Sequence, residues 1–457
     1  MKNIQMKHIA IVIGSTATIG VEGAYAQVSD KGLTPAANTY RSYQNASIVR
    51  DSGLSQPLDL LNDFYPAITV TAAKHDNVRR RPDLAEDDLK ITAMPSLGYR
   101  TNLGRHKFYA AYSGVYTFHQ DVEQEDAESN SVLANLGLDL SRRWDLELFG
   151  GFGDAFEERG ISGGRDFVGF TGNAFNRGPE KLEYKAYGGD LIFGRKIGIL
   201  KGVLGYEYVE TTFSSDDELF RFNAAERDRE TEALHLDLEW QFGAKTSVFG
   251  RIEETETNYF SVANQLDSTQ TDYMIGLRWK PSSALSGVAG IGRSEKDFVS
   301  PDQPDYDSSV YYANLNYSFS PFSNLQFAAS RQVEEPGDGL SSYYESDFYG
   351  IGWNHALSQR VVLDAYYKWS DDHYNTGRED SFVDWGVGVD YVWRSWMTAG
   401  IYYGEIERES NFSDIAYDDA YIGLRLRSDL RSLFSGSRRD EVEPASFDYP
   451  KRTGRSQ

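Results

Sequence analysis

Asp272 to Ile291 reads DYMIGLRWKPSSALSGVAGI. Tyr273, Ile275, Leu277 and Trp279 alternate with Asp272, Met274, Gly276 and Arg278. That is the two-residue period of a strand with two unlike faces. Pro281, Ser282 and Ser283 interrupt it, because proline presets φ and cannot donate to a ladder. Alternation then resumes, with Leu285, Gly287, Ala289 and Ile291 on one face. The stretch is a hairpin, and the next question is whether it stands alone or is one unit of a repeat.

The same pattern starts at Phe64 and runs to Arg427, enough for about eighteen strands. Its connections alternate in kind. Leu103-Gly104-Arg105, Ser141-Arg142-Arg143, Lys196-Ile197-Gly198, Gly243-Ala244-Lys245, Ser320-Pro321-Phe322, Leu357-Ser358-Gln359 and Arg394-Ser395 are short, like the turn at Pro281. Asp121 to Asn130, Ser214 to Asp228, Lys296 to Asp307, Glu334 to Ser341 and Ser370 to Asp380 are longer, polar and often acidic. Short turns on one side and long loops on the other are the pattern of an outer-membrane barrel with periplasmic turns and external loops. The expected fold is all-β: a transmembrane, antiparallel, up-and-down barrel at residues 64–427. A soluble sandwich, propeller or β-solenoid could also alternate, but would not explain aromatic residues gathered at the strand ends next to an export signal.

Face by face, Leu234, Leu236, Leu238 and Trp240, and Val387, Val389, Tyr391 and Trp393, predict lipid-facing rows with an aromatic belt beside the short turns. Tyr116, Phe118, Tyr206, Tyr208, Tyr367, Trp369 and Tyr403 predict a second belt toward the long loops. The opposite faces predict a polar lumen lined by Asp139, His235, Asp237, Glu239, Asp272, Arg278, Asn314, Asn316, Asp364, Tyr366, Lys368, Asp390 and Arg425.

The flanks differ in character. Residues 1–26 read as a secretory signal: Lys2 and Lys7, an apolar middle from Ile9 to Val21, and Ala24-Tyr25-Ala26 as the cleavage site. Residues 27–63 are polar and without a sustained period, expected as a mobile periplasmic lead-in with a plug as the alternative. Residues 428–457 are charged and broken by Pro444 and Pro450, expected as a periplasmic tail that is either disordered or docks a partner.

Composition narrows the chemistry. The 457 residues carry 69 Asp and Glu against 46 Lys and Arg, a net charge of −23, with no Cys. An acidic chain lacks the basic face that nucleic acid requires. Without Cys there is no disulfide, thiol chemistry or lipidated N-terminal cysteine. His235 and Asp237 share a strand face two residues apart, but nothing nearby completes a hydrolytic set, so lumen lining is the better reading. Asp371-Asp372-His373, Asp216-Asp217-Glu218 and the acids around Asp121, Glu123, Glu125 and Asp126 lack EF-hand spacing. They suit solvated loops that hold lipopolysaccharide through cations. Arg159 to Glu180 is the longest interruption, either folded into the lumen as a constriction or lying outside as a flap. No catalytic residue, metal site or cofactor is expected.

Phe156-Glu157-Glu158-Arg159-Gly160, Pro179-Glu180-Lys181-Leu182-Glu183-Tyr184, Glu226-Arg227-Asp228-Arg229 leading to Leu234, and the turn Trp279-Lys280-Pro281-Ser282-Ser283 resemble a family of outer-membrane beta-barrel porins associated with exopolysaccharide synthesis and export. The resemblance covers Phe64 to Arg427. It implies a non-enzymatic conduit for an extracellular polysaccharide, with a periplasmic export protein, the polysaccharide in transit, and outer-membrane lipid and lipopolysaccharide as partners. It carries no catalytic residues. A general or small-solute porin is the alternative, and a membrane-embedded enzyme a third, weaker one.

Overall fold

A computed structural model describes residues 63–82, 85–157, 160, 180–194, 199–214, 225–243, 245–261, 265–282, 284–337, 340–394 and 396–429. The expected signal, lead-in, C-terminal tail and nearly all of the Arg159 to Glu180 interruption lie outside these residues. The strands are β1 (Asp63–His75), β2 (Asp88–Leu103), β3 (His106–His119), β4 (Ala127–Asp139), β5 (Trp144–Glu157), β6 (Glu180–Phe193), β7 (Leu200–Ser214), β8 (Arg229–Gly243), β9 (Thr246–Tyr259), β10 (Ser268–Trp279), β11 (Leu285–Phe298), β12 (Tyr306–Ser320), β13 (Ser323–Glu334), β14 (Tyr344–Ala356), β15 (Val361–Tyr374), β16 (Glu379–Arg394), β17 (Met397–Ser410) and β18 (Tyr417–Asp429).

Each strand pairs antiparallel with its sequence neighbours, and β1 pairs with β18 from Ala67↔Asp429 to His75↔Tyr421. The 18-stranded sheet therefore closes on itself and leaves no edge. The hairpin at Asp272 to Ile291 is one of these units: Ile275 faces Ile291 and Leu277 faces Ala289 across β10 and β11.

The outer surface explains where such a barrel is stable. Ile275 is 59% exposed, Ile291 68% and Leu424 62%, and these rows continue around the wall. Contiguous apolar surface of this extent would drive aggregation in water and is satisfied by lipid. Trp240, Phe242, Phe319, Phe322 and Trp393 are exposed beside the short turns, and Phe118, Tyr206, Tyr367, Trp369 and Tyr403 toward the long loops. Tyr206 and Tyr208 donate to Glu232 and Glu230 at 2.9 Å, which marks the loop-side limit of the apolar band.

The two ends use different turn chemistry. In the short turns a serine hydroxyl accepts backbone N–H groups two or three positions on. Ser141 accepts from Arg143 and Trp144, Ser282 from Ala284 and Leu285, Ser320 from Phe322, and Ser358 from Arg360 and Val361, all at 3.0–3.2 Å. At the long-loop end aspartates are the commoner caps, although Ser410 accepts from Phe412 N as the short-turn serines do. Asp126 accepts from His119 N, Asp228 from Phe213 N, Asp267 from Tyr259 N and Asp305 from Phe298 N. Asp88 accepts from the N–H groups of Asp121 and Val122.

Two strands run further at this end than the sequence suggested. The expected loops at Lys296 and Ser370 begin only after Phe298 and Tyr374, while β13 ends at Glu334 where its loop was expected to start. Asp372, read as a solvated loop acid, lies on the inner face of β15 with 0% exposure. Side-chain period overrides polarity here, since a lumen-facing acid is compatible with a continuing ladder.

Candidate functional site: the inner wall

Strand parity puts all thirteen sequence-derived lumen candidates on the face opposite the exposed apolar rows. They divide between two sectors, with Asn314 and Asn316 on β12 between them and Asp139 at the short-turn end of β4. Asp139 N donates to His106 Nδ1 at 3.1 Å.

The first sector is β15 to β18 with β1. Its charges are paired within the wall. Near the short-turn end Arg425 holds Asp390 through Nε at 2.7 Å and Asp364 through Nη2, and Arg427 lies 3.8 Å from Asp390. Higher up, Lys368 Nζ is 2.8 Å from Asp384 Oδ2. Tyr366 Oη donates to Asp384 Oδ1 at 2.9 Å and lies 2.8 Å from Tyr421 Oη. His75 Nδ1 is 2.9 Å from Asp419 Oδ2, and its ring stacks on Tyr421 at 5.0 Å. At the long-loop end Arg378 and Arg408 meet at Asp380, at 2.6 and 2.9 Å. The result is a ladder of opposite charges rising along one wall, with Tyr366, Tyr402 and Tyr421 between the rungs.

Glycine makes room for it. A Cβ at Gly388 would stand 2.8 Å from both Arg425 Nη2 and Asp364 Oδ2, and one at Gly400 would stand 2.0 Å from Asp390 Oδ1. The lowest rung therefore lies flat over bare backbone.

The second sector is β5 to β10. Here carboxylates meet across strands. Glu147 is directly opposite Asp190, and Glu253 is opposite both His235 and Asp272. His235 Nε2 is 3.5 Å from Asp190 Oδ1. Arg251 pairs with Glu253 and lies 3.6 Å from Asp237. Glu239 accepts from Arg278 and Ser247, each at 2.5 Å, and the Arg278 guanidinium covers the Phe249 ring at 5.5 Å. Asp272 accepts from Gln270 at 3.0 Å. His235 and Asp237 thus serve different partners and form no acid/base pair with each other.

Sequence reading omitted Asp190, Glu147, His75, Asp419, Asp380, Arg408 and Arg378 from the lumen set. Parity was a usable signal for Asp190, because Leu191 and Phe193 mark the outer face of β6. It could not find Arg378, which lies in the β15–β16 turn.

At the long-loop end the inner face carries apolar side chains. Leu182, Tyr184, Ala186, Val209 and Phe213 form one buried apolar cluster, and Tyr259, Leu266 and Phe298 with Tyr343 another. Gly160, at φ +67, accepts from Tyr417 Oη at 2.8 Å, so the chain leaving β5 touches the inner face of β18. Glu335 is largely buried, its side chain 15% exposed, against Lys296, Tyr259 and Arg229. Burial raises its carboxyl, but the charges of Lys296 and Arg229 and hydrogen bonds from Lys296 and Tyr259 outweigh that and hold it below the ordinary glutamate value. Asp228 goes the other way. Its burial outweighs the Phe213 N–H and the neighbouring Arg229 and Arg227. Among the described residues no three His, Cys, Asp or Glu side chains group as a metal site.

A family model described as "Putative beta-barrel porin 2" matches residues 64–430. Among solved structures, Pseudomonas aeruginosa OccK2 (OpdF) in complex with glucuronate is 13% identical, with a TM-score of 0.45, over 80% of this chain and 98% of that one. OpdK with vanillate, from the same bacterium, is 9% identical at a TM-score of 0.44, over 80% and 98%. The P. aeruginosa siderophore receptor PirA is 10% identical at 0.39, over 82% and 81%. No curated protein matches the sequence.

Proposed function

The chain belongs to the beta-barrel porin family whose model spans its barrel, and from that premise we propose that this outer-membrane channel passes an extracellular polysaccharide. The observation that carries the proposal is the ladder on β15 to β18. Most of its charges are paired within the wall, and tyrosyl rings and hydroxyls stand between them. Such a surface offers stacking and exchangeable hydrogen bonds without a strong field of one sign, which suits a hydroxyl-rich polymer that must slide and not stick. Barrels of 16–18 strands leave an aqueous channel, and transport through it is passive. A periplasmic export protein would deliver the polymer, while lipid and lipopolysaccharide surround the wall.

A second reading, a small-solute porin, is favoured by the long-loop end, where Glu335 and Gly160 both reach inner-face residues of distant strands. Deleting the gene and measuring secreted polysaccharide separates the two. The export reading expects a marked loss of secreted polymer. Normal secretion together with lost uptake of a small solute overturns it in favour of the second reading.

A further inference from the structure

Between the two charged sectors the wall passes through β11 to β14. The inner positions there are every second residue from Ser286 to Ser294, Ser308 to Ser320, Asn324 to Gln332 and Ser346 to Ala356. None of them carries an acidic or basic side chain. Charged residues make up 25% of the chain, so four adjacent strand faces without one depart from its composition.

Amides and hydroxyls line this strip instead. Asn314 and Asn316 lie on β12, and Asn324, Gln326 and Gln332 on β13, all half-buried. Asn316 is directly opposite Gln326. From Asn324 to Gln332 the strand covers about 27 Å at ordinary rise, comparable with the height of a barrel's apolar band. Glycine bares the backbone on either side, at Gly290 and Gly292 on β11 and at Gly350 and Gly352 on β14. The Tyr312 ring lies over Gly290, where a Cβ would stand 2.8 Å from its Cε1.

The wall itself makes little use of these amides. Ser318 Oγ donates to Asn324 Oδ1 at 3.1 Å. Among the described residues no hydrogen bond holds the side chains of Asn314, Gln326 or Gln332, and Asn316 Oδ1 has no partner. In the neighbouring sector, by contrast, Arg425 and Lys368 are bonded to Asp390 and Asp384. An amide donates and accepts at once, as a sugar hydroxyl does, whereas a carboxylate only accepts. Unpaired amides facing a lumen are satisfied by water or by a solute rich in hydroxyls.

We infer that the charge-free strip of β11 to β14 is a binding track for uncharged saccharide. Asn314, Asn316, Gln326 and Gln332 exchange hydrogen bonds with sugar hydroxyls, and Tyr312 offers a ring to the apolar face of a sugar. The inference rests on the polysaccharide reading and narrows its substrate to neutral sugars, because the acids of β5 to β10 border the strip and repel an anionic chain.

Saccharide block of single-channel current, with the full-length barrel in planar bilayers, tests this. Maltohexaose and laminarihexaose, neutral glucans of different linkage, should each interrupt the wild-type current, and hexagalacturonate of the same length should do so at least about tenfold more weakly. Asn314→Leu combined with Gln326→Leu removes two amides at similar volume and should weaken the glucan block about tenfold. Heat-dependent gel mobility confirms that the variant is a folded barrel. Should it not fold, Asn314→Asp with Gln326→Glu keeps the shape but removes both donors, and should also weaken the block. A glucan block unchanged in a folded variant overturns the track, as does a wild type that neither glucan blocks. Block by hexagalacturonate as strong as by the glucans overturns the neutral class. The gene deletion judges polysaccharide export separately, so loss of the track and loss of that reading are distinguishable.

Discussion

Two sectors of one inner wall solve the same problem differently. On β15 to β18 each acid of the lower rung has a cation: Arg425 serves both Asp364 and Asp390. On β5 to β10 acids face acids across the ladder, Glu147 to Asp190 and Glu253 to Asp272, and cations such as Arg251 and Arg278 are shared among them. Directly opposed like charges cost stability, whereas opposed pairs contribute to it. The first sector is self-neutralised and acts as structure. The second keeps a negative surface toward the lumen and acts as a field. The charged part of the inner face is thus two functional surfaces, and strand period alone does not tell them apart.

The largest expected effect tests the structural sector. Arg425→Met leaves Asp364 and Asp390 without their shared cation over a wall that is 7% exposed at Arg425. It should cost about 3–5 kcal/mol, read as a lower denaturant midpoint for loss of heat-modifiable mobility. A cost near zero would remove the distinction between the sectors.

Gly400→Ala should come next. Its Cβ would collide with Asp390 Oδ1 and approach Val389 O at 2.9 Å, and backbone cannot swing aside as a long side chain can. A loss of about 1–3 kcal/mol is expected by the same assay. If Arg425→Met and Gly400→Ala act on one rung, their combined cost should be less than additive.

The smallest stability effect belongs to the other sector. Glu147→Gln with Asp190→Asn removes an opposed like-charge pair and should change stability by no more than about 0.5 kcal/mol. Its effect should appear in selectivity instead. In a salt gradient the wild-type reversal potential should favour cations, as carboxylate-lined pores do, and the double variant should move toward zero. An anion preference in the wild type would mean that the acids of β5 to β10 do not govern the lumen.

Much of the architecture was legible in the residues. Strict alternation around Trp279 and Pro281 identified the hairpin, and the contrast of short and long connections pointed to a closed barrel. The thirteen lumen candidates came from parity, because a two-residue period leaves only two places for a side chain. Partners were not legible. Arg425 lies 61 positions from Asp364 and 35 from Asp390, and only the order and stagger of neighbouring strands bring them together. The loop ends were misjudged for a related reason. Acidic residues such as Asp372 and Lys296's partner Glu335 look solvated until the inner face that buries them is known.

By itself, the sequence determined that the chain would form alternating strands and that one face would be apolar and the other polar. These are local properties, set by side-chain period and turn chemistry over a few residues. The tertiary structure alone decided which charges cancel, which remain as a field, and that Glu335 turns inward to Lys296 and Tyr259. Those depend on register across several strands and on the closing β1–β18 pair, where separations of hundreds of residues become hydrogen-bond distances.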